Sequence, residues 1–545
     1  MKQLIVYQVT DKGIENSLGE SKFQSPYLDF LLQTSKDVIK LFVNLDDDVA
    51  RLLRLIKFDK KQLEKLNKDK QIIVGQNYKI TYIPGKWFGL EKGFGTTRQW
   101  TGFSDLSQYE DLAGDIELDK HLAVAQEVYS SFLELGFNPT QLISPANIYR
   151  KEVLTQLDIP KFDNIPIEAM QMAYAACKGN WVEAFAIGKF DKVWDYDITS
   201  AYPYQASKLL DLRLGTWKQN KEYQKEATYG YCKCEVNIDS DFSPIIKQFE
   251  DRNYTPKGVF ETTLTKNEID FINEWNLGFV TILDGWWWTH DIAEIVKENK
   301  YSIFKIPYPF KQEIDKLYKQ KQESTGIKRE IVKRIMNGSF YGVFIEIRDD
   351  EFGDLFMAPY AAEIEANTRL KIANIYMHNK LSGNIVNLLH IAVDGIIVDQ
   401  EIDFYDYESP DKLGQWRAEH ESVPAIICSS GLVCIDSKFG KGDFSISYEK
   451  LNKLIQDNPN TDSYTMRKKT VLSLAQANNL NRIEDVGLEQ EISRTVEFGD
   501  AKRYYEDSPE TFEELVKNQY HSQAWDIEIL ETLENPVKIE EEELK

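Results

Sequence analysis

Short apolar runs and helical repeats alternate along this chain. Leu4-Ile5-Val6-Tyr7-Gln8-Val9 reads as a strand. Val49, Leu52, Leu53 and Ile56 recur at helical spacing and predict a helix over 48–56. A second helix is predicted from Leu118 to Leu135, with Leu122, Val128, Phe132 and Leu135 inward. Strand-like runs follow residue 186 and end in Thr281-Ile282-Leu283-Asp284-Gly285-Trp286-Trp287-Trp288. Residues 309–336 read as a basic helical hairpin broken at Ser324-Thr325-Gly326, and 355–380 as an apolar helix. From about residue 440 the pattern is helical and charged, as in a small separate lobe. The mixture predicts an α/β (α+β) fold.

Two of the apolar runs end on an acid. One is Trp194-Asp195-Tyr196-Asp197-Ile198-Thr199-Ser200-Ala201-Tyr202-Pro203; the other is Leu388-Leu389-His390-Ile391-Ala392-Val393-Asp394-Gly395-Ile396-Ile397-Val398. Acids far apart in sequence, brought together by a sheet, make a site for two divalent cations. Such a site clamps the attacking and leaving oxygens in phosphoryl transfer. Between them lies Lys333-Arg334-Ile335-Met336-Asn337-Gly338-Ser339-Phe340-Tyr341-Gly342, a basic helix end running into Tyr-Gly. Positive charge there would suit the same phosphoryl-transfer chemistry.

At 545 residues the chain is too long for one core, and two to four domains are expected. Its 42% hydrophobic and 12% aromatic content suits a folded protein. No apolar run of membrane length occurs, and Met1-Lys2-Gln3-Leu4 leads into a strand rather than a signal peptide. The five cysteines, Cys177, Cys232, Cys234, Cys428 and Cys434, lack paired zinc spacing and fit a reduced, cytoplasmic setting. Cys232-Lys233-Cys234 reads as strand alternation rather than a metal site. A net charge of -23 opposes nucleic-acid binding at first sight, but its distribution matters more. From Lys311 to Arg334 eight Lys and Arg face four acids, a local balance of +4, whereas Glu540-Glu541-Glu542-Glu543 is a solvated acidic tail.

The order acid, basic helix with Tyr-Gly, acid resembles motifs A, B and C of family B DNA polymerases, in particular the protein-primed phage and mobile-element branch. That resemblance implies a right-hand fold of palm, fingers and thumb preceded by an RNase H-like, exonuclease-type domain. The expected divisions are 1–185 exonuclease-like, 186–300 palm with insertion, 301–345 fingers, 346–440 palm, and 441–545 thumb with acidic tail. Asp197, Ser200, Tyr202 and Pro203 match the family's Asp-x-x-Ser-x-Tyr-Pro. The match implies Asp197 and Asp394 as catalytic metal ligands for two Mg²⁺ or Mn²⁺ ions, with Ile198 as a further ligand. It places Ser200 and Ala201 on the triphosphate and Tyr202 beneath the sugar, where a 2′-hydroxyl has no room. The middle motif, Lys-x-x-x-Asn-Ser-x-Tyr-Gly, is offset by one residue here. Counting back from Tyr341-Gly342 selects Ser339, Gly338 and Arg334; counting from Asn337 selects Lys333. Lys333, Arg334, Asn337 and Tyr341 are therefore the nucleotide-binding candidates, with Lys328 and Arg329 as additional phosphate contacts. In the third motif, Ala392 replaces an acid and Gly395 a serine.

Further matches extend the resemblance over about residues 170–445. Phe310 to Tyr318 resembles the start of the fingers helix, Pro359 to Asn374 with Arg369 the helix before motif C, and Leu413-Gly414-Gln415-Trp416 the segment after it. Ser430-Gly431-Leu432 occupies the place of a primer-gripping Lys-x-Tyr, and Cys177-Lys178-Gly179-Asn180 that of a Tyr-x-Gly-Gly hinge. The spacing from Asn337 to Asp394 suggests that an exposed hairpin is reduced or missing. In the N-terminal part, Gln8 and Thr10 fall where the exonuclease has acids, Asn44-Leu45-Asp46-Asp47-Asp48 matches Asn-x-x-x-Asp at Asp48, and Ala125 replaces the last acid. The resemblance therefore implies a template-directed DNA polymerase without proofreading, acting as a monomer on primer–template DNA and dNTPs. A terminal protein or other replication proteins are further partners, and no membrane is involved. Two alternatives stay open: a non-catalytic primer–template scaffold and a primase-like, RNA-synthesising variant. The tryptophan run has two readings, an insertion core and a base-stacking platform.

Overall fold

The computed structural model describes every residue except 1, 34–36, 76, 94–97, 110–116, 250–251, 291–307, 349–350, 385, 405–408, 437–440, 443–445 and 535–545. The acidic run Glu540–Glu543 and the first part of the expected fingers, 301–307, thus lie outside the described residues. The chain divides into two compact units, each assembled from three stretches. Residues 1–157, 317–339 and 466–494 form the first unit; 158–316, 340–465 and 495–545 form the second.

The first unit is built on an eight-stranded sheet. Its strands are β1 (Gln3–Thr10), β2 (Gly13–Asn16), β3 (Ser21–Lys22), β4 (Val38–Phe42), β5 (Gln71–Val74), β6 (Tyr78–Ile83), β7 (Trp87–Lys92) and β8 (Gln99–Asp105). They run in the order β3-β2-β1-β4-β8-β7-β6-β5. β4 is parallel to both β1 and β8, and the rest is antiparallel. Alternation in β1 sends Ile5, Tyr7 and Val9 into a core shared with α1 (Tyr27–Leu32), α2 (Leu45–Leu55) and α3 (Lys60–Asp69). Val471, Leu472, Leu474, Ala477, Ile483 and Val486 join the same core. The predicted helix over 48–56 begins earlier, because the Asn44 side chain accepts from Asp47 N–H and caps it at 3.2 Å.

Helix α4 (Leu118–Glu134) packs on β1, and α5 (Pro145–Glu152) follows it. In α4 the buried face is His121, Ala125, Val128, Tyr129 and Phe132; the expected core residues Leu122 and Leu135 are half-buried at its edges. The helix Gly326–Ser339 lies against α4 and α5 through Ile331, Val332, Ile335 and Met336. The helix Lys311–Glu323 precedes it in the chain, and the break falls where expected: the second helix begins at Gly326, which takes φ +56°.

In the second unit, α6 (Ile167–Ala176) precedes β9 (Val182–Ala184) and the long β10 (Ala186–Ile198), which runs into α7 (Ala201–Ser207). Strands β11 (Gly215–Gln219), β12 (Tyr229–Ile238), β15 (Gly258–Thr265) and β16 (Gly278–His290) form a separate sheet ordered β11-β16-β12-β15. A ribbon of β13 (Lys247–Phe249) and β14 (Arg252–Tyr254) interrupts it, and α8 (Lys266–Glu274) packs against it. Alternation in β12 buries Cys232 and Cys234 and leaves Lys233 outside, beside Glu261 at 2.7 Å. The tryptophan run is mostly core. Trp287 and Trp288 are buried and donate to the Asn220 and Leu212 carbonyls at 2.9 and 3.2 Å, while Trp286 is half-buried.

A short ribbon, β17 (Ile347–Arg348) with β18 (Glu351–Phe352), stands where the reduced hairpin is expected. The predicted apolar helix is Ala358–Leu381. After it come β19 (Leu388–Ala392), β20 (Gly395–Val398), β21 (Trp416–Ser429), β22 (Leu432–Ile435) and β23 (Lys441–Gly442). They complete the unit's main sheet, ordered β23-β22-β21-β10-β20-β19-β9.

Beyond residue 440 the helical expectation holds only in part. Short helices alternate with a two-stranded ribbon, β24 (Tyr464–Val471) with β25 (Glu489–Val496), and β26 (Gln519–His521) pairs with the start of β10. Among the described residues no helix is long and apolar enough to cross a membrane.

Candidate functional site

The two acids meet at one end of the second unit's main sheet. β10 and β20 pair antiparallel with Asp197 opposite Gly395. β19 and β20 form a hairpin in which Ala392 faces Gly395 across the two-residue turn Val393-Asp394. Asp394 therefore stands in the turn next to the strand end that carries Asp197. A Cβ on Gly395 would lie 3.7 Å from Asp197 Oδ1, which locates that carboxylate over Gly395. Asp394 N–H donates to the Ala392 carbonyl at 2.7 Å, and Val393 N–H to the Trp181 carbonyl at 2.9 Å. Val393 takes φ +62°. A β-branched residue there is strained by roughly 1–3 kcal/mol, held by the surrounding sheet.

The strand end is pinned from both sides. Ile198 N–H donates to the Asp394 carbonyl at 3.0 Å, so the backbones of the two motifs are directly joined. Thr199 N–H donates to the Gln415 carbonyl at 2.9 Å, Gly414 N–H to the Thr199 carbonyl at 2.8 Å, and Thr199 Oγ1 to the Pro410 carbonyl at 2.9 Å. The segment 413–416 thus clasps the strand end. Ser200 takes φ +52° and turns the chain into α7, which begins at Ala201. Asp195, two residues before Asp197, is fully buried and lies 3.1 Å from His420 Nδ1 on β21. The sequence reading missed this pair; an acid inside an apolar strand was its one signal.

Beside the acids two tyrosines meet edge to face. The rings of Tyr202 and Tyr341 have centroids 4.7 Å apart at 70°. Tyr202 donates its hydroxyl to Asn180 Oδ1 at 2.6 Å, and Tyr341 to Glu365 Oε1 at 2.5 Å. Burial, then the Glu365 charge, pushes both phenols well above their usual range, so both remain donors. Glu365 Oε2 accepts from Gly179 N–H at 2.7 Å. Arg369, 2% exposed, donates to the Gly179 carbonyl at 3.0 Å, pairs with Glu268 at 2.9 Å and lies 3.9 Å from Glu365. Glu268 in turn closes the capping box of α8 by accepting from Thr265 N–H at 2.9 Å. A largely buried network therefore links Tyr341 through Glu365 to the expected hinge at Gly179, and Tyr202 reaches the same segment at the exposed Asn180. The sequence reading named Arg369 and missed Glu365 and Glu268, which lie in helices without a marked charge pattern.

The other candidates belong to the first unit. Helix Gly326–Ser339 turns Arg329, Lys333, Arg334 and Asn337 outward; Lys333 is 4.0 Å from Glu330. Lys328 instead pairs with Glu134 at 2.8 Å. The one-residue offset of the middle motif has a packing reason. A Cβ on Gly338 would lie 2.7 Å from the Ala146 Cβ, so no asparagine fits where the count from Tyr341 asks for one.

Gln8 and Thr10 flank Val9 on β1, and Asp48 accepts from Val9 N–H at 2.6 Å and from Asn44 N–H at 3.0 Å. Burial pushes the Asp48 carboxyl up to about 7. Thr10 serves the β1–β2 turn, accepting from Lys12 N–H at 3.3 Å, and Ala125 is buried in α4. A further acid that the sequence reading missed, Asp105 at the end of β8, accepts from Leu45 N–H at 3.1 Å and from the Ser107 hydroxyl at 2.8 Å. No group of three or more His, Cys, Asp or Glu poised to hold a metal occurs among the described residues.

These elements define a fold class: the chain has the fold of a phage-type family B DNA polymerase. Among the solved structures it matches are those of phi29 DNA polymerase. The complex with primer–template DNA and incoming nucleotides matches at a TM-score of 0.61 with 13% identity, covering 92% of this chain and 100% of that one. An orthorhombic crystal form matches at 0.60 with 13% identity, and the binary primer–template complex at 0.59 with 14%, each with the same coverage. No protein-family pattern and no curated protein matches the sequence.

Proposed function

We propose that the chain is a template-directed DNA polymerase that adds deoxynucleotides to a primer with the help of two divalent cations, Mg²⁺ or Mn²⁺. The observation that carries this reading is the placing of Asp197 and Asp394 on joined strand ends with Tyr202 on the helix that follows. The donor set is all oxygen, two carboxylates with the Ile198 carbonyl in reach of the same strand end. Mg²⁺ commonly takes one or two carboxylates and completes its shell with water and substrate phosphates, so these residues fit it. Bound there, the ions would offset phosphate charge and activate the primer hydroxyl. Ser200 and Ala201 would offer backbone amides to the triphosphate, and the Tyr202–Tyr341 pair would form the floor under the sugar.

The neighbours' complexes with primer–template DNA and nucleotides support the same substrates here. A monomer working in the cytoplasm of a phage-infected or element-bearing bacterial cell, with a terminal protein or other replication proteins, fits the same reading. The N-terminal unit is proposed to lack proofreading. Its one matching acid, Asp48, has a carboxyl raised by burial and accepts from two backbone amides, and Gln8, Thr10 and Ala125 bring no charge.

A primer-extension assay tests the reading. Wild-type protein should extend a labelled primer with dNTPs and Mg²⁺ or Mn²⁺, and Asp197→Ala and Asp394→Ala should each lower the rate by at least about 10²-fold. Unchanged extension by Asp394→Ala would sink the assignment. Ala392 and the Ser430-Gly431-Leu432 turn favour a second reading, a non-catalytic scaffold, which would bind primer–template without extending it. Preference of the wild type for NTPs would point to the primase-like variant.

A further inference from the structure

The sheet of the first unit has a packed face and, over β5–β8, an open one. Ile72, Ile80, Tyr82, Phe88, Leu90 and Phe103 are buried in the unit's core. Strand alternation sends the intervening residues to the opposite side. Register aligns them in rows: Ile73, Lys79, Glu91 and Trp100 across the four strands; Thr81, Gly89 and Gly102 beside them; then Ile83 with Trp87. Ile73 is 67% exposed, Trp100 48% and Ile83 39%.

The two indoles on this face are stacked, with centroids 6.1 Å apart and planes at 24°. Trp87 lies flat on the backbone of β8: a Cβ on Gly102 would sit 1.8 Å from its ring, and one on the paired Gly89 would sit 3.1 Å from its Nε1. Paired glycines weaken a sheet. Here the missing side chains let the Trp87 indole lie over the strands and support a second ring. Trp100 thus rests on Trp87 with its other side toward solvent.

Cations flank this face in a chain of net charge -23, although Asp46 holds the β6–β7 turn by accepting from Gly85 N–H at 2.7 Å. Lys79 stands in the Trp100 row, Lys86 in the β6–β7 turn, and Arg98 beside β8, where it meets Glu91 at 2.7 Å. Glu91 is the one acid in these rows, and Lys92 belongs to the opposite face, paired with Asp29 at 2.6 Å.

We propose that this face binds single-stranded nucleic acid, with bases stacking on Trp100 and backbone phosphates passing Lys79, Lys86 and Arg98. Every base has a ring face that an exposed indole can take, and phosphates favour flanking cations. A duplex hides its base faces, and an apolar protein surface would have to desolvate the lysines without return. The proposal is independent of the polymerase reading, since stacking here uses neither Asp197 nor Asp394.

The test is fluorescence anisotropy of labelled dT₂₀ with the full chain, without nucleotide or divalent cation, alongside a blunt duplex. Trp100→Ala should weaken dT₂₀ binding about 5- to 100-fold and leave duplex binding unchanged. Trp100→Phe, which keeps a smaller stacking surface, should fall between. Lys79→Ala with Lys86→Ala should reduce the slope of log affinity against log salt by about one to two. Wild-type dT₂₀ affinity in Trp100→Ala, or an equal loss on the duplex, would overturn the proposal. So would a change of sedimentation in Trp100→Ala without a change in dT₂₀ affinity, which would assign the face to a second copy of the chain. Extension of a primer on a template with a short overhang should survive Trp100→Ala, which separates failure here from failure of the polymerase reading.

Discussion

Removing the Tyr341 hydroxyl tests the buried network most directly. Tyr341→Phe keeps the ring against Tyr202 and deletes only the 2.5 Å hydrogen bond to Glu365. Bonds to a charged partner contribute about 1.5–3 kcal/mol. Glu365 retains Gly179 N–H at 2.7 Å and Arg369 at 3.9 Å, so it is not left bare and the loss should lie near about 2 kcal/mol. Glu365→Gln keeps the shape and removes the charge. The double variant should then lose less than the sum, with a coupling of about 1–2 kcal/mol. Thermal unfolding followed by calorimetry reads the stability side. Because the chain has two units, only the transition that shifts in both single variants should be analysed. The functional readout is the ratio of dNTP to NTP incorporation, which should fall roughly 5- to 10-fold in Tyr341→Phe if about 1–1.4 kcal/mol of the positioning of Tyr202 depends on this bond. Additivity within about 0.5 kcal/mol would refute the coupling. Coupling without any change in sugar selectivity would refute its role in the floor.

Arg369→Met should destabilise the second unit by about 3–5 kcal/mol, since it strands Glu268 and Glu365 in the interior, and adding Glu268→Gln should recover part of the loss in the same melting experiment. Burial pushes Glu363 up to about 8 from an unfolded value of 4.5, so the folded state holds more protons between these values. Its contribution is full below pH 4.5 and is lost as pH rises to about 8, at most about 1.4 kcal/mol per pH unit. Glu363→Gln should therefore melt higher than wild type at pH 8.5, where wild type must ionise the buried carboxyl, and nearly the same at pH 4.5. Replacing Lys333 and Arg334 together with Ala should raise the apparent KM for dNTP about tenfold or more and lower kcat, with little effect on duplex binding. If nucleotide kinetics stay intact and only DNA binding weakens, Arg329 is the next candidate for phosphate.

The strand that holds Asp197 and the turn that holds Asp394 were legible because an acid at the end of an apolar run has few structural uses. Their pairing was not legible, since register depends on partners nearly two hundred residues apart. Val393 gave no warning of its positive φ, because valine is the residue least expected there. Glu363, Glu365 and Arg369 sit in a helix buried nearly all round, where no polar face marks which charges are internal. The ribbon of β24 and β25 was misread as helix because its strands, Tyr464–Val471 and Glu489–Val496, are rich in charged and polar residues, which leaves little apolar alternation to read in the sequence. The tryptophan run shows the opposite case, an unusual pattern with an ordinary cause in core packing.

The first unit's discontinuity has a consequence for biosynthesis. Its core needs Val471, Leu472, Leu474, Ala477, Ile483 and Val486, yet its sheet is finished by residue 105. At about 5–20 residues per second, the ribosome supplies residue 494 roughly 20–70 s after residue 157. Throughout that interval the nascent sheet carries an unfilled apolar surface beside α2 and α3. A fragment ending at residue 157 would keep that surface permanently, and should recruit chaperones or aggregate where the full-length chain does not.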